Sequence, residues 1–205
     1  MKVIINQNNY TTLSVNRNAR EIVLGVPDMS VLRFFPNATS LICRNLKLTS
    51  IKGVEYCPDL TFIDCSSNEL TTLILDCPEL KTLDCSENKI TKLNLNKCTK
   101  LRKLYCYSNK LTDLTGICRC SRIQRLHCSD NKLVNLHGLE SFGMLSELRC
   151  SENKIFSLSF LSNCSSLVVL NCEKNEIESL EGLELCHSLK ELNCEENNIC
   201  SLEHL

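Results

Sequence analysis

The sequence predicts a repeat solenoid, a chain that winds through the same short strand, turn and return segment many times. Eight cysteines carry the first sign of it: Cys43, Cys65, Cys85, Cys106, Cys128, Cys150, Cys172 and Cys194 follow one another at steps of 22, 20, 21, 22, 22, 22 and 22 residues. Around each lies the frame L-x-x-L-x-C-x-x-N-x-[LI]-x-x-[LI], filled for example by Leu80, Leu83, Cys85, Asn88, Ile90 and Leu93, and again by Leu145, Leu148, Cys150, Asn153, Ile155 and Leu158. The apolar spacing inside that frame keeps neither a helical nor a strand period over a whole repeat. A fixed period near 20 residues with a broken local period is the mark of a stacked repeat, in which each unit completes its core only against its neighbours.

The elements follow in order. Residues 1–37 lack the cysteine frame, and KVII, TTLSV and EIVLG in that stretch read as strands between Asn-rich polar turns. This segment is expected to be an N-terminal cap over an otherwise open apolar edge. Phe35-Pro36-Asn37-Ala38 lines up with Cys57-Pro58-Asp59-Leu60, so the register of the repeats extends ahead of the first frame cysteine. Residues 38–205 then form the solenoid of eight repeats, the last one incomplete. The first repeat departs from the frame, with Ala38 for leucine and Leu46 for asparagine. A second cysteine series, Cys57, Cys77, Cys98, Cys120, Cys164 and Cys186, stands three residues before each new repeat, with Phe35 and Phe142 at the corresponding places. Phenylalanine standing in for cysteine marks that column as buried and apolar. Just ahead of it runs another apolar column, Leu95, Ile117, Leu139, Leu161 and Leu183. The two shorter steps are expected to remove residues from this return limb.

The frame resembles the leucine-rich repeat, in a short form with cysteine at the third leucine of L-x-x-L-x-L-x-x-N. Such repeats occur in bacterial proteins and in proteins of large DNA viruses of protists, and the resemblance covers about residues 38 to 205. It implies an α/β-type solenoid with a parallel β-sheet on the concave face, an irregular or 3-10 convex limb and a small β cap at the N-terminus. Strands in such a sheet stack about 4.8 Å apart, so equivalent residues form ladders. One ladder is made by the eight frame cysteines. Another is made by Asn68, Asn88, Asn109, Asn131, Asn153, Asn175 and Asn197, whose side-chain amides are expected to satisfy backbone groups of their own and the adjoining turn.

The cysteines are therefore read as packing. Facing thiols on parallel strands would have to twist toward each other to form a disulfide. Zinc favours clustered ligands such as C-x2-4-C pairs, and the nearest approach to one is Cys118-Arg119-Cys120. Buried thiols have raised pKa values and are poor nucleophiles. Cys118 and Cys200 stand outside both ladders at columns that hold polar residues elsewhere, so they are expected at the surface, with no evident base beside either and a redox role left open. Neither G-x-x-x-x-G-K-[ST] nor G-x-G-x-x-G occurs, and no constellation for catalysis is present. The chain is read as not an enzyme, with no metal and no cofactor.

Composition narrows the partners. Net charge is −1, hydrophobic residues make up 43% and charged residues 23%, so a nucleic-acid partner is not expected by default. No apolar run nears the roughly 18 residues of a membrane helix. MKVIINQNNYTTLSV lacks the apolar stretch of a signal peptide, which places the expectation in a reducing, cytoplasmic setting, with host cytoplasm or a virus particle as the viral variants of it. The outward columns of the strands give the expected protein-binding site. Lys103, Tyr105, Tyr107, Arg125, His127 and Arg149 gather there on three consecutive strands, and tyrosine and arginine are the side chains enriched at interface hot spots. Asp64 and Asp84 on one side and Glu173, Glu191 and Glu195 on the other are expected to flank the patch. The expected function is a non-catalytic protein-interaction module that binds through the concave face. The alternative is a structural or assembly protein. Residues 1–60 hold seven Lys/Arg against four acids, and 171–205 hold nine Glu against two Lys, a polarity that suits head-to-tail self-association through a sheet edge at the C-terminal end.

Overall fold

The computed structural model describes residues 1–7 and 18–203. Ten strands form one parallel sheet: β1 (Lys2–Ile5), β2 (Glu21–Leu24), β3 (Ser40–Ile42), β4 (Phe62–Asp64), β6 (Thr82–Asp84), β8 (Lys103–Tyr105), β9 (Arg125–His127), β10 (Glu147–Arg149), β11 (Val169–Asn171) and β12 (Glu191–Asn193). Each strand pairs with its neighbours in sequence-repeat order, so the registers Thr82↔Lys103↔Arg125↔Glu147↔Val169 and Leu83↔Leu104↔Leu126↔Leu148↔Leu170 run unbroken across the sheet. Two further strands, β5 (Thr72–Ile74) and β7 (Lys92–Asn94), pair with each other on the opposite limb. Of the strands read in the first 37 residues, KVII and EIVLG are β1 and β2, and both extend the main sheet itself. TTLSV lies outside the described residues.

Each strand of the main sheet is only three or four residues long because the sequence turns out of it at the frame cysteine. Its central leucine or isoleucine points inward, and Leu41, Ile63, Leu83, Leu104, Leu126 and Leu148 are fully buried. Burying such a side chain contributes about 2 kcal/mol. The frame cysteine continues the hydrogen-bond ladder one step past the strand, as Cys85 N–H donates to the Tyr105 carbonyl at 2.9 Å. Two residues later the backbone enters the left-handed region, at Ser67, Glu87, Ser108, Asp130, Glu152, Lys174 and Glu196, with φ between 50° and 54°.

The asparagine that follows locks this turn. Asn109 Nδ2 donates to the carbonyls of Cys106 (3.2 Å), Tyr107 (3.1 Å) and, one repeat back, Cys85 (3.0 Å). Its Oδ1 accepts from the Ile90 N–H at 2.9 Å. The same pattern repeats from Asn68 to Asn197, so that each cysteine carbonyl from Cys65 to Cys172 takes two asparagine amides, one from its own repeat and one from the next.

All sixteen cysteines are free thiols. Thirteen of the fourteen ladder cysteines are buried, Cys194 is half-buried, and Cys118 and Cys200 are exposed. Burial pushes the thiols of Cys77, Cys120 and Cys164 up to about 12 and those of Cys65, Cys85, Cys106 and Cys150 well above the ordinary range. They stay protonated and therefore serve as weak donors. In the second column Cys120 Sγ donates to the Leu95 carbonyl at 3.2 Å and Cys57 Sγ to the Phe35 carbonyl at 3.4 Å. Phe35 and Phe142 complete that column with fully buried rings.

The return limbs explain the unequal steps. Limbs in 22-residue repeats use 3-10 turns at Val54–Tyr56, Thr115–Ile117 and Ser159–Leu161 or a glycine with positive φ, Gly138 and Gly182. The two short steps, Cys65 to Cys85 and Cys85 to Cys106, contain β5 and β7 instead. A strand rises about 3.3 Å per residue against about 2.0 Å for a 3-10 turn, so a limb with fewer residues spans the same distance only if it is extended. Where β7 meets the next limb the approach is close: a Cβ on Gly116 would lie 1.9 Å from the Leu93 carbonyl oxygen, which keeps that position free of a side chain.

Candidate interaction surface

With the central leucine of each strand buried, the residues on either side of it face outward. That places Lys103 and Tyr105 on β8, Arg125 and His127 on β9, and Arg149 on β10, three adjacent strands, with Tyr107 just past the end of β8. Arg125 and Arg149 are exposed; Lys103, Tyr105, Tyr107 and His127 are half-buried.

The side chains are joined into one cluster. The rings of Tyr105 and His127, paired across the strands, meet edge to face at 5.0 Å between centroids and 83°. His127 Nε2 lies 3.0 Å from Glu147 Oε1. Arg149 Nε donates to the same oxygen at 2.7 Å, and Arg125 Nε stands 3.4 Å from Glu147 Oε2. Glu147 thus gathers three of the predicted residues around one carboxylate. Lys103 and Tyr107 share the surface without a side-chain hydrogen bond or ion pair among the described residues.

Glu147 is not among the residues that the sequence pointed to for this surface. The signal was available, since it occupies the column of Lys103 and Arg125 one strand later and lies two residues before Arg149. Burial raises its pKa, but hydrogen bonds from Arg149 and His127 outweigh this and hold the carboxyl below its ordinary range. His127 moves the other way: burial, aided by the charges of Arg149 and Arg125, lowers it despite the Glu147 hydrogen bond. The imidazole is therefore neutral at pH 7, and its contact with Glu147 is a hydrogen bond from a neutral ring.

This has a sign. Because the folded-state pKa of His127 lies below the unfolded one, its contribution to stability is complete above about pH 6.5, the unfolded value. It is lost as pH falls toward the folded value, where the unfolded chain binds the extra proton. Thermal melts from pH 7.5 to 5 are expected to show a fall in Tm that is smaller in His127→Gln.

The flanking acids need correction. Asp64 is not an outward acid: it is 4% exposed, paired with Arg44 Nη2 and accepting the Ser66 hydroxyl at 2.7 Å. Ser86, directly after the frame cysteine Cys85, is fully buried and donates its hydroxyl to Asp84 Oδ1 at 2.6 Å. Short side chains two residues apart at the strand ends close on each other there. Glu173 stays half-exposed, while Glu191 and Glu195 are exposed, on the other flank.

Among the described residues no group of three or more His, Cys, Asp or Glu is placed to hold a metal ion, and no helix is long and apolar enough to cross a membrane.

Comparison with known proteins agrees with the architecture. The model of the family described as Leucine Rich repeats (2 copies) matches residues 78–119. No curated protein matches the chain. Among solved structures, an internalin from Listeria monocytogenes superposes with a TM-score of 0.86 at 19% identity, covering 92% of this chain and 57% of that one. A leucine-rich-repeat protein of Leptospira interrogans gives 0.85 at 25% identity, covering 95% and 54%. The functional domain of InlJ from L. monocytogenes, described as including a cysteine ladder, gives 0.73 at 27% identity, covering 98% and 50%. The chain thus spans about half the length of these proteins. Its parallel sheet, its asparagine and cysteine ladders and the matched repeats make it a leucine-rich-repeat solenoid with cysteine at the third leucine position.

Proposed function

We propose that this chain is a non-catalytic protein-interaction module and that a partner protein docks on the concave sheet face at Lys103, Tyr105, Tyr107, Arg125, His127 and Arg149. The observation that carries the reading is the cluster around Glu147, in which side chains from β8, β9 and β10 are already fixed before a partner arrives. Two tyrosines and two arginines held on short strands of a rigid solenoid lose little conformational entropy on binding, and pre-ordered aromatic and arginine anchors are where interface energy concentrates. The similarity to bacterial leucine-rich-repeat proteins supports an interaction role at the level of the fold.

The test is partner capture from lysate followed by titration of the identified protein against wild type and Tyr105→Ala with Arg125→Ala. Affinity is expected to fall by roughly thirtyfold, the scale of one hot-spot loss, with the melting curve little changed. Unchanged affinity for every identified partner, in a folded variant, would remove the reading. Capture of the chain by itself alone, abolished by changes in β12 and not by these, would replace it with self-assembly.

A further inference from the structure

Charge is concentrated where the solenoid wraps its middle turns. Residues 92–125 contain nine Lys/Arg and a single acid, Asp113, although the whole chain is close to neutral. The columns that lead into the strands show how these charges are disposed. In the first, Asp76 pairs with Lys97 at 2.5 Å, and Arg119, one rung further, has no acid. In the second, Glu79 pairs with Lys100 at 2.6 Å and Arg122 is left over. In the third, Lys81, Arg102 and Gln124 stack directly, with Arg102 N–H on the Lys81 carbonyl and Gln124 N–H on the Arg102 carbonyl, both at 2.8 Å, and there is no acid at all. In the fourth, Glu147 takes Arg125 and leaves Lys103. Lys81, Arg102, Lys103, Arg119 and Arg122 therefore form a belt on adjacent rungs with no ion pair among the described residues. Lys103 is half-buried and the others are exposed.

Like charges on neighbouring strands repel and cost stability, and an anion laid across them removes that cost. The belt runs across the solenoid, from the turn at Arg119 and Arg122, past the start of β8 and β9, to the aromatic cluster of Tyr105 and His127. We infer that the belt is a recognition site for a short acidic segment of a protein partner, which crosses the strand starts and ends on the concave cluster. The inference deepens the proposed function and rests on that reading for the concave half of the site. Belt geometry favours a short acidic segment over a nucleic acid. A long polyanion following the sheet would meet Glu147 within the patch and Glu173, Glu191 and Glu195 on the next strands, and would be repelled there. A segment of a few acidic residues fits between them.

The test uses a fluorescently labelled peptide of ten glutamates, titrated by anisotropy against the full chain at low and at high salt. Saturable binding that weakens steeply as salt screens it is expected, reduced by roughly tenfold or more in Arg102→Glu with Arg122→Glu, two exposed residues whose change leaves the circular dichroism spectrum and melt intact. Absence of saturable binding at low salt, or equal binding by that variant, overturns the inference. Tighter binding of a thymidine decamer than of the peptide overturns the assignment to a protein partner. The two readings separate cleanly. If a captured natural partner is lost by Tyr105→Ala with Arg125→Ala while the glutamate peptide does not bind, the concave reading stands and the belt falls. If the belt variant loses the peptide and the concave variant loses nothing, the belt stands and the concave reading falls.

Discussion

Asn109→Ala is expected to lower the stability of the protein by about 3 kcal/mol, read as a fall in the urea midpoint at unchanged slope. The size follows from which groups lose their partner. The carbonyls of Cys85 and Cys106 each keep a second asparagine, Asn88 and Asn131. The Ile90 N–H donates to the Asn109 oxygen at 2.9 Å in the buried interior of the turn, where water does not replace it. Beyond that orphaned donor, the turn entered through Ser108 at φ 50° loses the clamp that holds it. The same change at Asn197 is expected to cost about 1 kcal/mol or less. The bonds of that amide to the Cys172 and Cys194 carbonyls are only part-buried, so water can take over the groups it leaves, whereas those of Asn109 are buried. Equal losses at both positions would mean that the ladder is not the source of the effect.

Phe142→Ala is expected to cost about 4 kcal/mol. Its ring is fully buried in a column where six repeats hold a cysteine, so the cavity left behind is larger than any neighbouring side chain can fill. The local backbone is also committed, since Phe142 N–H donates to the Leu139 carbonyl at 3.0 Å and its own carbonyl accepts Leu145 N–H at 2.9 Å, which limits collapse onto the void. Chemical denaturation measures it, and a loss below about 1 kcal/mol would show that the column relaxes freely and that the interior is not closely packed there.

The ladders were legible in the sequence because each buried rung constrains its neighbours on both sides. A residue that must stack on its equivalent 22 positions away leaves a period that spacing alone reveals, as Cys85, Asn88 and Leu83 do. The outward columns were legible only in part. The alternation of the strands placed Lys103, Tyr105, Arg125, His127 and Arg149 on one surface, but what they do to one another depends on rotamers and register. Glu147 is the clearest case: a single acid in the middle of the patch takes up two arginines and a neutral imidazole, and column position alone does not distinguish that from two free charges beside a free ring. Asp64 departs from its expected outward place for a related reason. Column position fixes where a Cβ starts, while a carboxylate and a hydroxyl two residues apart can fold onto each other and leave the surface.

The turns hid a different feature. Seven consecutive repeats place a non-glycine residue at positive φ just before the ladder asparagine, and serine, glutamate, aspartate and lysine there give no glycine signal. Cross-strand hydrogen bonds such as Glu87 N–H to the Tyr107 carbonyl at 2.9 Å, with the asparagine clamp beside them, hold the backbone in place of intrinsic preference. The basic belt was missed because charge was summed at the two ends of the chain, where the net values are modest or acidic, and the concentration lies in the middle.

Every assignment of function rests on one register, which sends cysteines inward and the Lys103, Tyr105 and His127 columns outward. Thiol labelling of the native protein with a maleimide, read by mass spectrometry of the digest, tests that register most directly. Rapid modification of Cys118 and Cys200, slower modification of Cys194, and protection of Cys85, Cys106, Cys128 and Cys150 until the protein is unfolded is the result expected from their exposure. Rapid modification of Cys85 or Cys106 in the folded protein would contradict it, because the strand would then be turned over and the residues assigned to the binding surface would lie in the core.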